Sequence, residues 1–251
     1  MSISSFKKGH RMLEQLLRAV HHNPENILHY HAIIQLYKRN GDRQNEIKWL
    51  NEMLKFWPSE HGEEWLTLVR YGEEENDPVL CWKSLMSAYS FHCFGFVWPS
   101  GYEPPFLKYR EAFFQFLTKN QHRYFELELT APAISLYYMI GTLGGLNARQ
   151  YFEDQICRIQ QRPLSGVIFD WSRLRDVDTF LGGFLATAIE SLQARQVPVY
   201  LIPPKNSNFQ FLFQFLQLSQ KLEKTQIPSE LEALEQLKLR RASAPEKKDS
   251  P

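Results

Sequence analysis

GVIFDWSRLRDVDTFLGGFLATAIESLQARQVPVYLIPP, residues 166–204, reads as one β-α-β unit, and the rest of the chain is read outward from it. Val167, Ile168 and Phe169 form a continuous apolar run inside a strand from Gly166 to Asp170, as expected where helices cover both faces of a sheet. Val199, Tyr200, Leu201 and Ile202 repeat that pattern. Between the two strands the polar segment WSRLRDVD predicts a turn ending on Asp178, a residue type suited to accept the first free N–H groups of a helix. From Thr179 to Arg195, Leu181, Phe184, Leu185, Ala188, Ile189 and Leu192 recur at three- and four-residue steps, which predicts an amphipathic helix with one apolar stripe for the sheet.

Upstream, Tyr124 to Leu129 alternates as a strand, Ile134 to Leu143 makes a second, and Gly144-Gly145 turns into a helix from Asn147 to Arg158. Downstream, Pro203-Pro204 and a polar KNSN lead to FQFLFQFLQL, a helical segment within Asn208–Gln220. Ile227 to Leu239 carries Leu231, Leu234, Leu237 and Leu239 among charges, a final helix that folds back or packs on a partner. RRASAPEKKDSP at the end is polar and rich in charge, Ser and Pro, a composition that does not bury enough surface to fold.

An apolar strand ending in Asp (VIFD), a polar turn, Asp178 opening a helix with small residues near its start (DTFLGG) and a second apolar strand together resemble the STAS domain, the domain of bacterial anti-sigma-factor antagonists and of sulfate-transporter tails. Ala133 to Leu143 is similar to the strand with a terminal Gly before that family's first helix, and Asn147 to Gln160 to the helix itself. The resemblance implies a mixed sheet backed by helices that binds a partner protein at the rim around the Asp178 helix. In phosphoregulated relatives the helix opens Asp-Ser-Ser-Gly and the second Ser is phosphorylated. Asp178 matches the Asp and Thr179 the first Ser, but Phe180 stands at the phospho-acceptor and Leu181 at the Gly. A switch of that kind is then left to Thr179, where a phosphate would meet a helix N-terminus; the plainer role for Thr179 is to help cap the helix.

The N-terminal third is helical. Leu13, Leu16, Leu17 and Val20 share a helical face within residues 11–22, which stops at Asn23-Pro24. A second helix, Ile27 to Arg39, ends at Asn40-Gly41-Asp42, where Gly41 can take a positive φ, and a third, Gln44 to Phe56, ends before Pro58. Pro24 and Pro58 stand 34 residues apart, the tetratricopeptide (TPR) period, and Tyr30, Ile33, Tyr37, Leu50 and Pro58 fit that repeat. Ile34 and Glu46 occupy sites where it wants small residues, so an unrelated helical bundle stays open. A weaker repeat follows from Glu63 through Ser87. Stacked helices of this sort offer a groove for a second protein partner or a peptide.

The expected organisation is therefore an α + α/β chain: a helical, TPR-like domain (1–90), an aromatic linker and helix (91–122), a STAS-like domain (123–222), and a possible helix with a disordered tail (223–251). The linker AYSFHCFGFVWPSGYEPPF is apolar enough to need a packing partner, either a seam between domains or a docking patch. A formal net charge of +1 supplies no field to attract nucleic acid or an anionic membrane. No run of about 18 apolar residues suits a membrane span, no signal peptide is evident, and the three cysteines, without a CxxC pair, suit reduced thiols. A cytoplasmic location is the expectation.

For function, Trp171, Arg173, Asp176, Asp178 and Thr179 are the candidate interface, because exposed Trp and Arg are enriched in binding hot spots. Asp170, Asp176 and Asp178 stand near a strand's carboxyl end, where α/β folds place active sites. No Gly-rich phosphate loop or nucleophile elbow accompanies them, so they read as turn and cap residues. His21, His22, His29 and His31 lie close in sequence without metal-ligand spacing and read as a surface cluster. The reading is a non-enzymatic protein-interaction module without cofactor or metal, a regulator or adaptor of bacterial signalling. A structural adaptor in a larger assembly and a small-ligand sensor are the alternatives.

Overall fold

The computed structural model describes residues 3–57, 61–92, 105–129, 134–143, 146–177, 179–204 and 226–243. Asp178, the Gly144-Gly145 turn, most of the aromatic linker, the helix expected within Asn208–Gln220 and the last eight residues lie outside them, as does the Thr179 side chain. The chain is mixed α/β and divides into two compact units, residues 1–104 and 105–251.

The first unit contains α1 (Ile3–His22), α2 (Ile27–Asn40), α3 (Arg43–Phe56), α4 (Gly62–Glu75) and α5 (Pro78–His92). Asn26 caps α2 by accepting from the Leu28 N–H at 3.1 Å, and Asp42 caps α3 by accepting from Asn45 N–H at 3.2 Å. Gly41 ends α2 with φ 71°, as its place in the turn predicts. Ile33, Leu50, Met53, Leu54, Leu68 and Leu85 form the interior, and the Tyr30 ring packs against Trp49, Phe56 and Trp57. Glu46 is buried because Tyr71 of α4 donates its hydroxyl to it at 2.6 Å. Burial, that hydrogen bond and the Glu46 charge push the Tyr71 pKa up to about 12.

The second unit is built on one four-stranded sheet in the order β1 (Tyr124–Leu129), β2 (Ile134–Leu143), β3 (Gly166–Val177) and β4 (Val199–Ile202). β1 pairs antiparallel with β2, while β2, β3 and β4 run parallel. Parallel neighbours need crossovers, supplied by α7 (Leu146–Gln161) and α8 (Thr179–Ala194). Both helices pack on one face of the sheet, as two successive crossovers of the same hand require. Ile159 of α7 and Ala186, Ile189 and Leu192 of α8 join Tyr137, Met139, Val167, Phe169, Trp171, Val199 and Leu201 in one core.

The opposite face is covered by α6 (Phe106–Lys119) and α9 (Glu230–Ser243). Phe113 meets the Tyr138 ring edge-on at 4.9 Å and Phe125 at 5.5 Å, and Leu237 packs on β3 at Gly166. The helix expected to end the linker thus belongs to the sheet. The helix expected from Ile227 folds back onto the same unit and runs through Ser243, with Ala233, Leu234 and Leu237 buried.

The largest departure from expectation is β3. WSRLRDV is not a turn but seven further residues of strand, so β3 spans twelve residues. Two bulges explain how a polar segment stays in the ladder. Tyr138 pairs with Asp170 but Ile140 with Arg173, leaving Met139 opposite both Trp171 and Ser172; a second irregularity at Arg175 brings Thr142 opposite Asp176. Each extra residue shifts the in-out alternation by one, so Arg173 turns to the α6 face while Leu174 remains in the α7/α8 core.

Candidate functional site

Asp170 ends the apolar run of β3 and, by the period of two, points away from Phe169 toward α6 and α9. There it is fully buried, as is Glu230 at the start of α9. Arg110 of α6 lies between the two carboxyl groups. Its Nη2 donates to Asp170 Oδ2 at 2.7 Å and to Ser172 Oγ at 2.9 Å, and its Nε donates to Glu230 Oε1 at 2.7 Å. The Ser172 N–H donates to the other Asp170 oxygen at 2.8 Å. The guanidinium also stacks over the Phe114 ring at 4.7 Å.

Two carboxyl groups and one guanidinium do not balance as a neutral set. Burial raises the Glu230 pKa first, and the adjacent Asp170 charge raises it further against the opposing pull of Arg110, so the group is pushed up to about 8. At neutral pH Glu230 therefore keeps its proton and adds no second buried charge beside Asp170. For Arg110, burial works against the charge, but Glu230 and Asp170 outweigh it and hold the guanidinium above its ordinary value. Sealed from solvent and engaged by Arg110, these carboxyl groups tie three elements together.

Next to this network a cleft of about 890 Å³ opens along α6 and the bulged end of β3. Glu111, Phe114, Gln115, Thr118 and Lys119 line it from α6, Ile140 and Gly141 from β2, and Ser172, Arg173, Leu174 and Arg175 from β3. Gly141 takes φ 75°, a left-handed conformation that a side chain disfavours, at the point where the ladder goes out of register. Three basic residues face one carboxylate around an apolar floor of Phe114 and Ile140. Arg173 pairs with Glu111 and lies over the Phe114 ring at 5.2 Å, both charged groups being well exposed. Such a lining favours an anionic group with an apolar or flat body: cations meet the charge and the floor takes the remainder.

The candidate residues separate. Trp171 is 1 % exposed and packed between the sheet and its helices, so it is core and not an exposed hot spot. The cause is the strand parity, which puts it on the same side as Phe169, at 6.4 Å between ring centroids. Arg173 lies in the cleft, and Asp176 is exposed near the end of β3. α8 begins at Thr179; Asp178 and the Thr179 side chain are outside the described residues. Sequence reasoning missed Arg110, Glu230, Phe114 and Lys119. Arg110 and Glu230 are 120 residues apart, and each reads alone as an ordinary charge on an amphipathic helix. The available signal was Asp170, a carboxylate closing a fully apolar strand, which needs a buried cation.

No described helix is long and apolar enough to cross a membrane. No family model matches the chain, and neither a curated protein nor a solved structure matches it.

Proposed function

We propose that this chain is a non-enzymatic interaction module, a STAS-like regulator or adaptor of bacterial signalling, whose C-terminal unit holds an acidic segment of a partner protein in the α6–β3 cleft. The observation that carries the reading is the lining of that cleft, with Lys119, Arg173 and Arg175 against Glu111 over the Phe114 floor. The order of elements supports the STAS-like part: an antiparallel edge strand, then three parallel strands joined by helices on one face. The helix hairpins of the first unit support its reading as TPR-like, with a groove for a second partner or peptide. Phosphorylation at Thr179 would add negative charge at the start of α8 and change what the partner meets there.

An array of acidic peptides, with and without an aromatic residue, tests the reading on the full chain. Retention of acidic peptides that weakens with salt, and that falls at least tenfold in the R173E/R175E variant, is the expected result. Retention that ignores both salt and charge reversal counts against it. The cleft volume, which falls within the range of small-molecule sites, favours a second reading as a sensor of a small anion. A melting temperature that rises with nucleotide or phosphorylated headgroup concentration, with no peptide retained, would select it.

A further inference from the structure

We propose that His31, His61 and Glu64 form a site for a zinc-type transition-metal ion in the helical unit, with a coordination position left for water or an external ligand. One donor atom from each residue lies within 4.8 Å of the others, and all three residues are half-buried. The inference is independent of the cleft and of the function proposed for it.

His61 is the informative residue. It occupies the N-cap position of α4, where Ser, Thr, Asp and Asn are favoured because their oxygens accept from free N–H groups, yet its side chain makes no capping hydrogen bond. Its Nδ1 faces Glu64 Oε2 at 3.5 Å, beyond the roughly 2.7–2.9 Å of a charge-assisted hydrogen bond. Two donors each about 2.0–2.1 Å from a tetrahedral zinc stand about 3.3 Å apart, so the pair is spaced like the edge of a coordination tetrahedron. His61 Nε2 is buried without a hydrogen-bond partner among the described residues, so no hydrogen bond fixes the ring for another task. The His31 ring stands edge-on to it at 5.5 Å, which brings a second imidazole from α2 to the same point.

Elementary coordination chemistry selects the ion. Two imidazoles and one carboxylate suit zinc and its neighbours in the transition series, whereas calcium and magnesium prefer oxygen-only shells. Two neutral rings and one carboxylate leave a bound divalent ion with one net positive charge. Three protein ligands leave a tetrahedral ion one free position. The arrangement was invisible to spacing rules because only His61 and Glu64 are one helical turn apart, while His31 comes from a different helix.

The test uses the full chain, stripped with chelator and titrated with Zn²⁺ by calorimetry and with Co²⁺ by visible absorption. One-to-one binding is expected, with the intense d–d bands of a tetrahedral cobalt site, and removal of a ligand in H31A or H61A should weaken it by roughly 100-fold or more. H29A and C157S should bind like the parent chain, since neither residue belongs to the site. The milder E64Q and H31Q variants, checked for an unchanged circular dichroism spectrum, replace any variant that fails to fold. Absence of saturable binding, or binding that persists in folded H31A and H61A, H31Q or E64Q chains, would overturn the assignment.

Discussion

Trp171 fills space between β3 and the helices of the core, so its truncation is a core deletion. W171A should destabilise the second unit by about 3–5 kcal/mol, read as a shift in the urea midpoint with tryptophan-independent circular dichroism. Loss of partner binding at unchanged stability would instead put the ring at the surface. Gly141 has a different sensitivity. A Cβ added there meets nothing within 4 Å, so substitution is penalised by its φ of 75° alone. G141A is expected to cost about 1–2 kcal/mol, and G141N less, because Asn visits that region more readily. Equal stability of all three chains would contradict the positive φ. The terminal Gly of this strand was legible in the sequence; the side toward which Trp171 points was not, because WSRLRDV reads as a turn and only a continued strand gives Trp171 the parity of Phe169.

At the level of elements, α6, β3 and α9 are held by the Asp170–Arg110–Glu230 network, and its proton inventory sets a pH dependence. The Glu230 pKa lies near its ordinary value in the unfolded chain and is pushed up to about 8 in the folded one. Between those values the folded state holds the extra proton, so this contribution is complete in acid and is lost as pH rises through about 8. Urea unfolding of the parent chain and E230Q from pH 5 to pH 9 checks this: stability should fall by up to roughly 1 kcal/mol per pH unit in the parent relative to the variant. Breaking the network from one side is costlier. R110M leaves two carboxyl groups buried without their cation and is expected to lose about 3–5 kcal/mol, whereas R110M/D170V/E230L should regain much of that loss, since apolar groups of similar size replace buried ions at little cost. A triple variant less stable than R110M would show that the charges themselves hold the helices.

Across the whole molecule, the division at residue 104 places α6 with the sheet. A fragment of residues 105–251 should therefore fold alone and reproduce the Glu230-dependent pH profile of the full chain. A fragment beginning at residue 123 should not, because it lacks Arg110 and the Phe113 ring that covers Tyr138 and Phe125. Far-ultraviolet circular dichroism and cooperative urea unfolding of the two fragments make the comparison; equal stability would contradict the role given to α6.

Local order was written in the sequence. Apolar runs at Val167–Phe169 and Val199–Ile202, period-3.6 stripes, and turn residues such as Gly41 and Asp42 each act within a few positions, and together they fixed the β-α-β unit, the helical first unit and most element boundaries. What lay beyond them depends on pairing between distant segments. Two bulges, visible only in the register of β3 against β2, carried the strand through WSRLRDV and brought Arg173 into the cleft, and the continued strand buried Trp171 on the side of Phe169. Likewise, only folding brought Arg110 to Asp170 and Glu230, and His31 to His61 and Glu64. Side-chain chemistry is a property of single residues, but a site is a property of distances, and those are set by how the elements pack.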